Sequence, residues 1–391
     1  MSFPRDVSLS AVVAGFVTVL VGFTSSGALV FEAARSAGAT PGQIGSWMWA
    51  LGLGMGLTCL LLSLRYRMPV VTAWSTPGAA MLIVSAAGVP LAETTGAFIV
   101  CAVLITVAGF SGAFERAIGR IPLSIASGLL AGVLVRFGFE IFIAMKTQFT
   151  LAVTMFAVYL ACRRLKPRYA VPGALLAGIV VAGAKGLLHV TDITLAPAVP
   201  EFVMPAFSLS ALVGIALPLF VVTMASQNVP GSAVIRASGF AVPLSPVIGW
   251  IGVTNVILAP FGAFALNLAA ITAAICMGRE AHEDPSRRYV ASVAAGIFYI
   301  LIGIFGATVG ALFAAFPKEL VLGIAGLALI GTIGNGLAVA VANEREREPA
   351  LITFLVTASG MSLAGIGSAF WGVVAGAIAL KVLTPRVEKA T

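Results

Sequence analysis

Residues Val70 to Ser85 read VVTAWSTPGAAMLIVS. The stretch is apolar enough to sit in a membrane, yet it carries a polar break, Trp74-Ser75-Thr76-Pro77-Gly78, near the middle of a would-be span. Pro suits a first helical turn and Ser75 or Thr76 suits an N-cap, so the spacing predicts a short helix from Pro77 onward. The β-branched piece before the break, Val70 to Ala73, is too short to cross a bilayer. Lipid does not tolerate bare backbone N–H and C=O groups, so a break of this kind belongs inside protein or beside a water-filled cavity. It is expected to line a site.

Composition bounds the rest. Charged residues make up 10% and the hydrophobic set 60%, with mean hydropathy +1.07; a soluble domain carries about 25% charged residues. The chain reads as an all-α polytopic membrane protein, since its apolar runs lack the alternation of a β-barrel. No small-residue cleavage site follows a short apolar run at the N-terminus, so no cleavable signal peptide is expected. Cys59, Cys101, Cys162 and Cys276 lie far apart in apolar runs and read as packing residues. With His189 and His282 they offer no metal-ligand spacing, and no cofactor is expected. No phosphate-binding GxxxxGK[ST] loop occurs, which argues against ATP-driven transport.

Measured in lengths of about twenty apolar residues, the chain divides into fourteen segments, some of them short. The third is Val70 to Ala87. The eighth is Leu209 to Ser226, followed by a separate small-residue segment, Pro230 to Val242. The tenth, Ala259 to Met277, is also interrupted, around Phe261 to Asn267. With the N-terminus in the cytoplasm, the 23 Lys and Arg residues fall on the cytoplasmic side except for Arg35, Lys146, Lys185 and Lys318 outside and Arg136 within a span. That bias supports both the segment count and the orientation, with both termini cytoplasmic. It also accounts for the net charge of +8 without a nucleic-acid partner.

Fourteen segments split seven plus seven. Because seven is odd, the halves are inverted, and the two broken spans are the third of each half. Two interrupted spans at corresponding positions of inverted repeats point to a transporter site near the midplane. In the tenth span Asn267 is placed to cap a helix from Leu268 to Met277. Facing half-helices would bring two N-termini together, each with unpaired N–H groups and about half a positive charge, a setting for an anion. Trp74 and Phe264 precede the caps and suit an aromatic ligand body. The alternative is a pair of kinks packed by neighbouring helices.

Other polar residues admit two readings each. Gln227 and Asn228 either reach the ligand or mark helix termination before Pro230-Gly231. Ser25, in the patch Phe23 to Gly27, either touches ligand or serves close helix packing. Arg136 and Glu140, spaced i, i+4 in the fifth span, form a structural pair or take part in proton movement, while Glu32 reads as interfacial.

The stretches TAWSTPGAAM from Thr72, QNVPGSAVIRASGF from Gln227 and APFGAFALNLAAITAAICMG from Ala259 resemble the bacterial benzoate:proton symporter family, BenE, over essentially the whole chain. More distantly, the layout is similar to the uracil-permease and sulfate-permease architecture. The resemblance implies a core domain from residues 1–116 and 207–317 and a gate domain from 117–190 and 318–384, moving against each other in an elevator-like way. Each broken span would be a short strand plus a half-helix. The implied cargo is benzoate or a related aromatic carboxylate taken up with a proton across the bacterial inner membrane, and no enzymatic activity is expected. Surrounding lipid and an admissible homodimer complete the expected partners. The substrate residues so selected are Ser25, Trp74, Ser75, Thr76 and Gly78 from the first half, and Gln227, Asn228, Phe264, Ala265, Leu266 and Asn267 from the second. Where nucleobase permeases carry acidic residues, this chain has Ser226-Gln227 and Leu266-Asn267. That departure suits an anion and leaves Glu140 and Glu32 as the proton candidates. A permease for another organic or inorganic anion, or a passive channel, are the competing readings.

Overall fold

The computed structural model describes residues 6–119, 121–188, 197–305, 316–363 and 366–383. His189 and part of the expected eleventh span lie outside the described residues, as does the side chain of Ser25. Helix α1 spans Leu9–Ser36 and is capped by Ser8, whose Oγ accepts from the Ala11 N–H at 3.2 Å. Helix α2 spans Pro41–Tyr66 behind a Thr40/Gln43 capping box and stops at Arg67, in the left-handed region at φ 50°. Strand β1 (Thr72–Trp74) and helix α3 (Thr76–Ser85) follow. Then come α4 (Leu91–Phe110), α5 (Ala113–Gly119), α6 (Leu123–Ala144), α7 (Phe149–Leu165) and α8 (Ala170–Ala184).

The second part begins with α9 (Leu209–Ala237) and α10 (Leu244–Leu258), the latter prolonged by a 3-10 turn to Phe261. Strand β2 (Leu266–Leu268) leads to α11 (Ile271–Met277), α12 (Tyr289–Ile304), α13 (Lys318–Ala340) and α14 (Arg347–Ser359). A two-residue ladder pairs Ser362–Leu363 with Ile366–Gly367 ahead of α15 (Ser368–Leu383). Among the described residues, seven helices are long and apolar enough to cross a membrane: α2, α4, α6, α9, α10 with its extension, α12 with the turn before it, and α13.

Helix α9 corrects one expectation. The sequence suggests a span ending at Ser226, a stop before Pro230-Gly231 and a separate small-residue segment; the structure has one continuous helix from Leu209 to Ala237. Proline lacks an N–H and its ring presses on the carbonyl four residues back, which normally kinks or ends a helix. Here each proline, Pro218 and Pro230, follows a widened π-type turn, Leu212–Ala216 and Met224–Asn228. The wider turns absorb the missing bond and the helix continues.

Packing sorts the helices into two groups. Helix α12 lies along α1 and α2, α10 lies on α4, and α3 and α11 both rest on α1. Elsewhere α6 packs on α13 and α14, α14 on α15, and α7 on α8. The groups meet where the C-terminal part of α9 reaches α6 and where α1 and α11 touch α13. Small residues set the tightest contact, between α2 and α12. A Cβ added to Gly52 would sit 2.6 Å from the backbone of Gly303, and one on Gly56 would sit 2.7 Å from the Gly296 carbonyl. Backbones approach this closely only where side chains are absent.

That contact predicts an asymmetry between two substitutions. Gly52→Ala overpacks the α2–α12 seam and costs about 1–3 kcal/mol. Gly334→Ala on α13, where nothing lies within 4 Å of the new methyl, keeps stability or raises it by up to about 1 kcal/mol. Thermal unfolding of the detergent-solubilised variants checks the difference.

Candidate functional site

The two extended stretches, nearly two hundred residues apart in sequence, pair with each other. Strands β1 and β2 run antiparallel with Thr72 opposite Leu268, Ala73 opposite Asn267 and Trp74 opposite Leu266, and the Ala269 N–H adds a bond to the Val71 carbonyl at 2.9 Å. Antiparallel pairing puts the start of α3 beyond the Leu266 end and the start of α11 beyond the Thr72 end. The two helix starts therefore lie at opposite ends of the ladder, about 7 Å of strand apart at 3.3 Å per residue.

A two-stranded ribbon of this length has little stability of its own, and side chains from three helices hold it. From α2, Ser63 Oγ bonds both the N–H and the C=O of Val70 at 3.1 Å, and Cys59 Sγ accepts from the Thr72 N–H at 3.2 Å. Thr72 Oγ1 in turn donates to the Met55 carbonyl and lies 2.6 Å from Thr58 Oγ1. From α9, Asn228 Oδ1 accepts from the Leu268 N–H at 2.9 Å. From α10, Asn255, with its amide oxygen turned to the strand, accepts from the N–H groups of Ala265 and Leu266, both at 3.0 Å. Asn255 is fully buried. Its partner Ala265 sits at φ 43°, a left-handed conformation that costs a residue with a Cβ about 1–2 kcal/mol. Just upstream, Gly262 turns at φ 101° against the Trp47 indole, where any side chain would collide.

The predicted residues fall into distinct places. Ser75 caps α3: its Oγ accepts from the Gly78 N–H at 3.1 Å and from Thr223 Oγ1 on α9 at 3.1 Å. Gly78 is buried, and a Cβ there would meet Leu219 at 2.7 Å. Thr76 remains half-buried at the helix start beside Pro77 and Ala73. The Trp74 indole is buried, donates from Nε1 to Ser26 Oγ at 2.9 Å and meets the Phe23 ring edge-on at 5.9 Å. Gln227 is half-buried on α9. No Lys or Arg lies within β1, α3, β2 or α11, and the start of α3 presents the partial positive end of a helix.

Several expectations need correction. Asn267 does not cap α11. It lies in β2, the helix begins at Ile271 behind Ala270 without a side-chain cap, and Asn267 Nδ2 donates to the Ala265 carbonyl at 2.9 Å. Asn267 is fully buried and its Oδ1 has no hydrogen-bond partner. Asn228 does not terminate a helix but anchors β2 from inside α9. Phe264 does not stand free for a ligand; its ring is taken up in an aromatic core with Trp47 at 5.7 Å and Phe98 at 5.9 Å. Leu266 points at Gly54 on α2. Among the described residues Arg136 and Glu140 form no ion pair, and Arg136 lies instead against Gly360. Glu32 is an exposed partner of Arg35 at 3.7 Å. Sequence reading missed Asn255, Ser63 and Thr58, because a lone polar residue in an apolar span is indistinguishable from a packing residue until its partner is known.

The bracing predicts a rank order. Asn255→Ala strands two buried N–H groups and costs about 2–4 kcal/mol; Asn228→Ala strands one and costs about 1–3 kcal/mol. Melting temperatures of the two variants test that order.

A family model described as "Benzoate membrane transport protein" matches residues 5–382. The chain is 49% identical over 370 residues to the inner membrane protein YdcO of Escherichia coli K12, covering 95% of each chain. It is 38% identical over 379 residues to the benzoate membrane transport protein of Acinetobacter baylyi, covering 97% of this chain and 96% of that one. Among solved structures it aligns with SLC26A9 at TM-score 0.46 and 13% identity, over 98% of this chain and 67% of the other. It aligns with the transmembrane domain of the cyanobacterial bicarbonate transporter BicA at TM-score 0.47 and 11% identity, over 94% and 96%. The family match over nearly the whole length and the two full-length relatives establish that this chain belongs to the benzoate membrane transport protein family, BenE, a family of membrane transporters and not of enzymes.

Proposed function

We propose that the protein imports benzoate or a similar aromatic carboxylate across the bacterial inner membrane together with a proton. It does so by alternating access of a core domain against a gate domain. The observation that carries this reading is the braced β1–β2 ladder with α3 starting at its edge. That arrangement places a helix N-terminus, free of competing cations, beside a buried tryptophan. A carboxylate suits the helix start and an aromatic ring suits Trp74 and Phe23. The relative from Acinetobacter, named for benzoate transport, supports the substrate class.

In this reading the chain crosses the membrane as fourteen segments in a seven-plus-seven inverted repeat, with both termini cytoplasmic. Segments three and ten are the two that combine a strand with a short helix. The core is formed by 1–116 and 207–317 and the gate by 117–190 and 318–384, a division that the helix packing supports. The carboxylate contacts Thr76 and the Ser75–Gly78 turn, with Asn267 and Gln227 as further polar contacts; Phe264 stays in the core. A homodimer is compatible with this arrangement.

Purified protein in liposomes takes up labelled benzoate above empty vesicles, faster with an inward proton gradient, and excess unlabelled benzoate competes where sulfate and uracil do not. Uptake no greater than that of empty vesicles overturns the reading, and competition by sulfate selects an inorganic-anion permease. Trp74→Phe removes the indole bond to Ser26 that fixes the ring, and benzoate binding weakens, measured by calorimetry on solubilised protein.

A further inference from the structure

Glu280 follows the end of α11, in the turn after Gly278, and is 5% exposed. Its Oε1 receives Arg163 Nη1 of α7 at 2.5 Å, while its Oε2 is buried without a partner. A Cβ added to Gly331 of α13 would lie 2.7 Å from Oε1, so the carboxyl enters a notch that only a glycine leaves open. The contact joins the two packing groups: Glu280 belongs with α11, and Arg163 and Gly331 belong with α7 and α13. The remaining charged and titratable groups around it are few. Tyr159 lies one helical turn before Arg163, and Arg279 is adjacent in sequence. Arg288 is committed to the carbonyls of Met277, His282 and Glu283. Arg163 is 38% exposed and keeps access to water after the pair separates.

We propose that Glu280 is the proton-binding residue that couples the proton to movement of the core against the gate. The inference rests on the core and gate division proposed above. Ionised, Glu280 is latched to Arg163. An unpaired carboxylate dragged along the apolar surface of α13 would carry a prohibitive desolvation cost, because breaking a buried ion pair leaves its charge uncompensated. When a proton binds a carboxyl oxygen, the charge and its attraction to Arg163 vanish together, and the neutral acid can slide past Gly331. The proton leaves again when the pair re-forms. The bare Oε2 is the acceptor open to that proton. Neither Glu32, exposed beside Arg35, nor Glu140 on α6 bridges the two groups in this way.

E280Q mimics the protonated state, so its benzoate exchange continues but its uptake rate becomes the same with and without a proton gradient. R163Q removes the cation that favours the ionised form. The pH midpoint of gradient-driven uptake then moves to higher pH. A merely structural pair would lower expression or stability and leave that midpoint in place. Hydrogen exchange of the 278–288 and 318–340 segments, read without substrate, separates this proposal from the choice of cargo. With exchange normalised at each pH to the base-catalysed intrinsic rate of the free amides, exchange in the unmodified protein increases as pH falls; in E280Q it is already high and does not respond. If the unmodified protein moves no benzoate while this pH response holds, the substrate reading fails and the latch stands. If E280Q retains gradient stimulation equal to that of the unmodified protein, or exchange in 278–288 is independent of pH, the latch is overturned. Should E280Q fail to fold, E280D with R163Q decides the matter through the pH midpoint alone.

Discussion

Every backbone N–H and C=O placed in an apolar interior must find a partner, and the structure is arranged around two places where a helix does not provide one. Strands β1 and β2 answer part of that need for each other. The rest falls to side chains: Ser63 and Cys59 on α2, Asn228 on α9 and Asn255 on α10. Each unmet bond in such surroundings costs several kcal/mol. The polar residues scattered through otherwise apolar helices are thus the condition under which the extended segments exist at all. The same reasoning explains α9, whose two widened turns keep a proline-bearing helix intact long enough to bring Asn228 to β2 and Thr223 to the cap of α3.

Rigidity and freedom are distributed unevenly over this framework. The α2–α12 seam closes through glycines at backbone contact, and the Trp47–Phe98–Phe264 cluster fills the space behind β2. Those contacts are apolar and close-packed, and they back the β1–β2 ladder. The boundary toward α6, α7 and α13 is of another kind, with small residues and an ion pair from the buried Glu280 to the partly exposed Arg163. The seam is apolar and in backbone contact, whereas the boundary carries a charged pair.

Much of the local structure was legible. The cap at Ser75 and the proline-led start of α3 follow from neighbouring residues alone, and the structure has that cap with Pro77 in the first turn. The corresponding reading at Asn267 failed, since a capping residue is recognised by type and position, and Asn267 has the right type but sits in a strand. The end assigned to the eighth span failed because proline and glycine mark helix termination only when no wider turn absorbs them. Arg136 and Glu140 have the spacing of a pair, yet Arg136 lies on Gly360, a contact from a distant segment.

The chain alone determined that this is a helical membrane protein of the benzoate membrane transport protein family and that the segment from Val70 to Ser85 is interrupted. Hydropathy, proline and capping chemistry act over a few residues and are visible in any window of sequence. Only the tertiary structure decided that this segment pairs with Leu266–Leu268, that Asn255 and Asn228 hold the ladder, and that Glu280 meets Arg163. These partners are separated by ten to nearly two hundred residues of chain. Side-chain hydrogen bonds and ion pairs reach only about 3 Å, so which polar group satisfies which is settled by how the helices pack and not by order along the sequence.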